Sequence, residues 1–250
     1  MPNNWIDIEG DLISLEETPS LLRDLNLMPL FLRRYFESKF TKDIKPNREE
    51  QINFQKKFMA KENITDKETL DNWLKFRHIT ESDLNQNIYK SLKLEMFKKN
   101  KFNDYVEKVF LQRKSDLDRV TYSLIRSANR EKIVELNLRL KEEEATFSEL
   151  SSEFSEGIEN VLNGLIGPIE LGQVNPIVAE RLKSSNPGQL WPPFEIENWW
   201  VLLRLERFMP AKLNNEMRNR LINEMYESWI LDKIKKTLDS LNNNPNTEYS

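Results

Sequence analysis

The chain has 250 residues, 38% hydrophobic and 31% charged, with a formal net charge of −4; that length suits one large or two modest domains with real cores. It has no cysteine and a single histidine, His78, which excludes disulfides, thiolate chemistry and metal sites built from several His or Cys ligands. The acidic balance argues against a dedicated nucleic-acid binder, and no apolar run approaches the roughly 18 residues of a membrane span. The N-terminus, MPNNWIDIEGDLISLEE, is acidic and lacks the basic and apolar regions of a signal peptide. The expected location is cytoplasmic, or exported if a leader has been removed.

Residues 18–113 read as helices joined by short polar turns. Pro29 stands where a helix can start. Asn47 with Glu50, and Thr65 with Glu68, have capping-box spacing, and a further helix starts at Thr80. Leu84, Ile88 and Leu92 follow at i, i+4 and i+8. Phe102, Val106, Val109 and Phe110 mark the inner face of a last short helix. No strand is expected in this N-terminal part. The lysines of YKSLKLEMFKKNKF (89–102) read as a solvated helix face and its C-terminal turn.

From Asp118 the pattern changes. DRVTYSLIR has the β-branched, apolar character of a strand, and a helix over ANREKIVELNLRLKEEE follows. TFSELSSEFSEG supplies a short capped helix. Four of the six glycines then fall within SEGIENVLNGLIGPIELG (155–172) and read as turns. VNPIVAERLKSSNPG contains another helix, and QLWPPFEI and NWWVLLRLERF are two strands. This order describes a small α+β domain. From Lys212 an amphipathic helix runs through Met217, Leu221, Met225, Trp229 and Ile234, and the polar end SLNNNPNTEYS is expected to be disordered.

Conventional catalytic sets fail on residue inventory. A Ser-His-Asp triad needs His78, which lies in the polar turn FRHITES. The glycine stretch lacks the Lys-Ser/Thr of a phosphate-binding loop. The carboxylates of KEEEA (141–145) point in different directions on a helix. What remains is glycine turns, an apolar strand pair and a tryptophan cluster (Trp191, Trp199, Trp200), a surface suited to an extended peptide.

From Arg119 to Leu205 the chain resembles the parvulin family of peptidyl-prolyl cis-trans isomerases. VTYSLI (120–125) is similar to the family's opening strand V-x-H-I-L-V, and FSELSSEFS (147–155) to F-x-x-L-A-x-x-x-S. NGLIG (163–167) is similar to G-G-x-L-G, GQVNP (172–176) to G-Q-M-x-P, NPGQLWPP (186–193) to the P-G-E/Q turn, and WVLLRLE (200–206) to Y-H-I-I-K-L-E. The flanks resemble SurA- and PrsA-type foldases, in which a C-terminal helix returns to the N-terminal helices.

The resemblance implies an α+β fold class with an N-terminal all-helical chaperone-like domain (1–115), a parvulin-like domain (116–211), a C-terminal helix (212–238) packing back on the helical domain, and a tail (239–250). It implies peptidyl-prolyl isomerisation of unfolded or extended polypeptide clients, with no cofactor, metal or nucleic acid. It also implies a substrate pocket lined by Tyr122, Leu165, Val174, Ile177 or Val178, Leu182, Trp191 and Val201. The family's two histidines fall at Tyr122 and Val201, its Cys or Asp at Gly157, and its G-G-D-L-G acid at Leu165. The polar half of the site is thus expected to be exchanged for apolar groups. These departures leave open a second reading, a holdase or partner-specific adaptor with the parvulin fold and no isomerase activity.

Overall fold

The computed structural model describes residues 4–242. They form two compact units. One comprises the chain up to Val106 together with the residues from Arg218 onward, and the other spans Glu107–Met217.

The first unit opens with a hairpin, β1 (Asn4–Ile8) against β2 (Asp11–Ser14). Its turn residues Glu9 and Gly10 both have positive φ, as a two-residue hairpin loop requires. No strand was expected here, because the segment is short and rich in Asn and Asp, which disfavour strands. The helices follow as α1 (Thr18–Asp24), α2 (Met28–Thr41), α3 (Arg48–Lys61), α4 (Lys67–Arg77) and α5 (Glu81–Phe102). Pro29 lies in the first turn of α2. Asn47 and Glu50 close their capping box reciprocally at 2.9 and 2.7 Å. Helix α4 starts one residue later than the Thr65–Glu68 spacing suggests. Asp66 Oδ1 accepts the Thr69 N–H at 2.8 Å while Thr69 Oγ1 accepts the Asp66 N–H at 3.1 Å. Leu74, Leu84 and Ile88 form a small core with Phe54, Phe58 and Trp73.

The C-terminal helix, Asn215–Asn242, packs on α2 and α5. The Trp229 ring lies 4.9 Å from Phe40 and 5.7 Å from Phe97, centroid to centroid, within the range where aromatic pairs add to area burial. Leu221, Ile222, Tyr226, Ile230 and Ile234 are buried. Arg33 of α2 donates to both carboxylate oxygens of Glu227, and the Tyr226 hydroxyl donates to Glu37 at 3.3 Å. The helix continues past residue 238 to Asn242, so the segment expected to be a tail is helical over its first residues. Residues 243–250 lie outside the described residues.

The second unit takes in α6 (Val106–Leu117) from Glu107 onward and is built on a four-stranded antiparallel sheet of order β4-β3-β6-β5. These strands are β3 (Arg119–Ser127), β4 (Leu165–Glu170), β5 (Phe194–Ile196) and β6 (Trp199–Met209). Strand β3 pairs with β6 from Arg119↔Met209 to Ser127↔Trp200. Alternation along both strands sends Ile125 and Leu202 to one face, where they pack with Ile133 and Leu136 of α7 (Arg130–Lys141) and Phe147 and Leu150 of α8 (Phe147–Phe154). Tyr122, Leu124, Leu203 and Leu205 go to the other face, against Val178, Ala179 and Leu182 of α9 (Pro176–Lys183).

Strand β4 is a correction to the sequence reading, which expected only turns. Gly167 and Pro168 mask its strand character, and they are tolerated because β4 is an edge strand. Gly167 has φ +114°, and a Cβ there would lie 2.5 Å from the Val120 carbonyl oxygen of β3. At this position only glycine lets the two strands meet.

Two outcomes test the docking of the C-terminal helix. Ending the chain at Met217 removes five buried apolar side chains, each worth about 1.5–3 kcal/mol. Cooperative thermal melting of the first unit, followed by circular dichroism, is expected to disappear. The Glu227 carboxyl is held below its usual pKa by the Arg33 hydrogen bonds. Its contribution is therefore present above the unfolded value near about 4.3 and is lost as pH falls through the lower folded value. Glu227→Gln is expected to destabilise the chain at neutral pH by at most about 1 kcal/mol, since the pair is partly solvated, and to have no effect near pH ~2. Denaturant titrations at the two pH values check this.

Candidate functional site

The α9 face of the sheet carries most of the sequence-named residues. Tyr122 sits on central strand β3, directly opposite Ile166 of β4 on one side and Leu205 of β6 on the other. Val174 caps the short turn before α9, and Trp191 packs on the same cluster. The indole is fixed by its Nε1–H donating to Ser185 Oγ at 2.7 Å and by the Trp191 N–H donating to the Leu203 carbonyl at 2.9 Å. Arg181 lies over the Phe194 ring at 3.8 Å. Tyr122 and Val174 are 7% and 8% exposed, and the partly exposed Ile166, Trp191 and Phe194 pack over the same cluster as an aromatic and aliphatic border.

Not every named residue is equivalent. Leu182 is fully buried, and Val201 and Val178 are 2% and 3% exposed, so they support the surface from beneath. Of the pair left open, Ile177 is 41% exposed at the start of α9 while Val178 is in the core. Leu165 does not join the others. It pairs with Ser123 rather than Tyr122, which turns it to the opposite face, where it is 48% exposed. Its neighbour Ile166 takes the place on the Tyr122 face and packs there. The two-residue period of strand facing decides this, and it was hidden while β4 was read as a turn.

The structure also corrects the expectation of an apolar site. Next to Gly157 lies a charge pair that sequence reasoning missed. Arg126, on the same face of β3 as Tyr122, donates from Nη2 to Glu159 Oε2 at 2.8 Å. Glu159 is 2% exposed, and its other oxygen accepts from Ser155 Oγ at 2.7 Å. The Arg126 N–H donates to Ser155 Oγ at 3.1 Å, and the Arg126 carbonyl accepts from the Glu156 N–H at 2.9 Å. Strand β3 is thereby stitched to the loop that carries Gly157. Burial first, and the Glu159 charge second, push the Tyr122 phenol above its ordinary range, so it stays a neutral hydrogen-bond donor at physiological pH. The lone charge in the otherwise apolar and amide run GIENVLNGLIG was the available signal.

This antiparallel sheet, with α7 and α8 on one face and the apolar cleft beside α9 on the other, bears out the parvulin resemblance. Residues 122–207, which lie within the second unit, match the family model described as Rotamase, PPIC-type PPIASE domain. Among solved structures, the chain is similar to the peptidylprolyl isomerase PrsA of Bacillus anthracis, with 16% identity over 84% of this chain and 97% of that one and a TM-score of 0.46. It is similar to the foldase protein PrsA of Streptococcus pneumoniae, with 14% identity, 98% and 96% coverage and a TM-score of 0.46. A structure from Campylobacter jejuni, whose description concerns SurA-like chaperones, shows 15% identity, 99% and 100% coverage and a TM-score of 0.37. No curated protein matches the chain.

Substitutions separate supporting from accessible residues. Leu182→Ala is expected to cost about 2–5 kcal/mol of stability, whereas Leu165→Ala, at an exposed position, should stay within about 0.5 kcal/mol. Urea unfolding of the full chain measures both.

Proposed function

We propose that the chain is a parvulin-type foldase that binds extended or unfolded polypeptide and speeds cis-trans isomerisation of its prolyl bonds. In this reading the helical domain (1–115) and the C-terminal helix form a chaperone module, and residues 116–211 hold the isomerase site. The observation that carries the reading is the match of residues 122–207 to the PPIC-type domain, on a sheet face that presents Tyr122, Ile166, Val174 and Trp191 together.

Isomerisation makes no covalent bond and needs no net proton transfer. Its barrier, about 18–20 kcal/mol, is amide resonance. A twisted amide has lost part of its charge separation, so an apolar surface that grips the proline ring and removes water favours the twisted form over the planar one. Tyr122, Ile166, Val174, Ile177 and Trp191 are the groups we assign to that grip, with Val178, Leu182 and Val201 beneath them.

For location we retain the cytoplasmic reading of the sequence, or export of a chain whose leader has been removed. Among the described residues no helix is long and apolar enough to cross a membrane; cell fractionation tests the assignment.

The test of function is exchange spectroscopy on a short peptide with one Xaa-Pro bond, with the full chain added in catalytic amount. Uncatalysed exchange takes tens to hundreds of seconds, and the expected result is a rate that rises in proportion to protein concentration. Peptide binding without any acceleration would favour the adaptor reading.

A further inference from the structure

Arg126 reaches two of the four family positions at once. In the β3–β6 register it lies directly opposite Val201. Its guanidinium also lies against Gly157. A Cβ built on Gly157 would overlap Arg126 Nε and Nη2 and the Glu159 carboxylate. A side chain at 157 therefore requires the Arg126 and Glu159 ends to move from these positions. Gly157 has φ −104°, a conformation open to every residue. What a side chain at 157 would meet is the guanidinium and its carboxylate partner, not a backbone restriction.

The pair leaves donor capacity unused. Glu159 takes one Nη2 hydrogen, and the Arg126 side chain keeps 31% of its surface exposed, so the guanidinium is reachable from solvent although its Nε is buried without a hydrogen-bond acceptor among the described residues. A buried donor without an acceptor is unfavourable, and guanidinium N–H groups have no other role than to donate. The Trp199 ring, 5.6 Å from Arg126 Cζ, flanks the group from β6, and Tyr122 lies on the same face of β3.

We propose that Arg126, held by Glu159 and admitted by Gly157, is the hydrogen-bond donor to the prolyl amide in this cleft, in place of the family's polar side chains at 122, 157 and 201. As the amide twists, the nitrogen lone pair localises and becomes an acceptor, while the planar ground state offers none there. A fixed donor aimed at that nitrogen stabilises the twisted form selectively. No proton is transferred. Glu159 is a positioning residue, and the groups facing Arg126 are Glu159, Tyr122 and Trp199.

The inference rests on the isomerase reading, and the experiment separates the two. Rates and affinities for the same prolyl peptide are measured on the full chain and on Arg126→Met combined with Glu159→Gln, which removes both charges and leaves neither buried alone. A thermal melt establishes that the variant folds. The expected result is a kcat lower by about ten- to hundredfold with KM changed less than about twofold. Gly157→Ala, which displaces the guanidinium, should lower kcat similarly and add nothing further in the combined variant. Arg126→Lys should recover part of the rate. Because the proposed step transfers no proton, the wild-type rate should be flat between about pH 6 and 9. Arg126→His should instead give a rate that titrates near about 6.5. A folded double variant with wild-type kcat, or a wild-type rate that titrates near neutrality, overturns the proposal. A wild-type chain that binds the peptide without accelerating exchange overturns it together with the isomerase reading, and one that does not bind the peptide sinks the cleft assignment as well.

Discussion

The pairing of β3 with β6 is the constraint on which the α+β unit depends. Both strands are interior to the sheet, and their side chains alternate between two separate cores. One core, under α7 and α8, is closed and entirely structural. The other ends in a surface that is apolar but accessible. Because both faces hang on one register, a one-residue slip would exchange the two sets of side chains. The position of Tyr122 relative to Ile166, and of Arg126 relative to Val201, is thus a consequence of pairing across the whole strand.

That register also explains why the glycines cluster. Gly167 allows β4 to approach β3 closely, and Gly157 makes room for a guanidinium. The same stretch of chain that closes the sheet edge therefore forms one border of the cleft. Strand approach and side-chain space decide where these glycines stand, so they cannot be read from turn propensity alone.

The helical unit is held by a different logic. Its C-terminal helix is separated in sequence from α2 and α5 yet packs on them through Trp229, Tyr226 and the Arg33–Glu227 pair. The aromatic contacts carry most of the energy, because the ion pair is partly solvated. Lys98 and Lys101, in the lysine-rich segment of α5, lie 4.9 Å from the Tyr226 ring and 4.7 Å from the Trp229 ring. They line the border of this packing as well as a solvated face.

Much of this architecture was legible in the sequence. Amphipathic spacing and capping pairs located α3, α5 and α8, and ordered motifs identified the parvulin-like segment. Four things were not legible, the first of them the β1–β2 hairpin. Strand β4 was concealed by Gly167 and Pro168, which only edge position makes acceptable. The facing of Leu165 and Ile166 followed from that omission. Arg126 and Glu159 are 33 residues apart, and no local pattern announces that one buries the charge of the other. The polar groups the family carries at 122, 157 and 201 are replaced, and the Arg126–Glu159 pair fills the space beside Gly157.

The most direct measurement is a set of intermolecular nuclear Overhauser contacts between a proline-containing peptide and the full chain. The account predicts contacts from the proline ring to Tyr122, Ile166 and Trp191, with the preceding peptide unit near Arg126. Proline contacts confined to the exposed residues Val134 and Leu138 of α7, on the opposite face of the sheet, would contradict it.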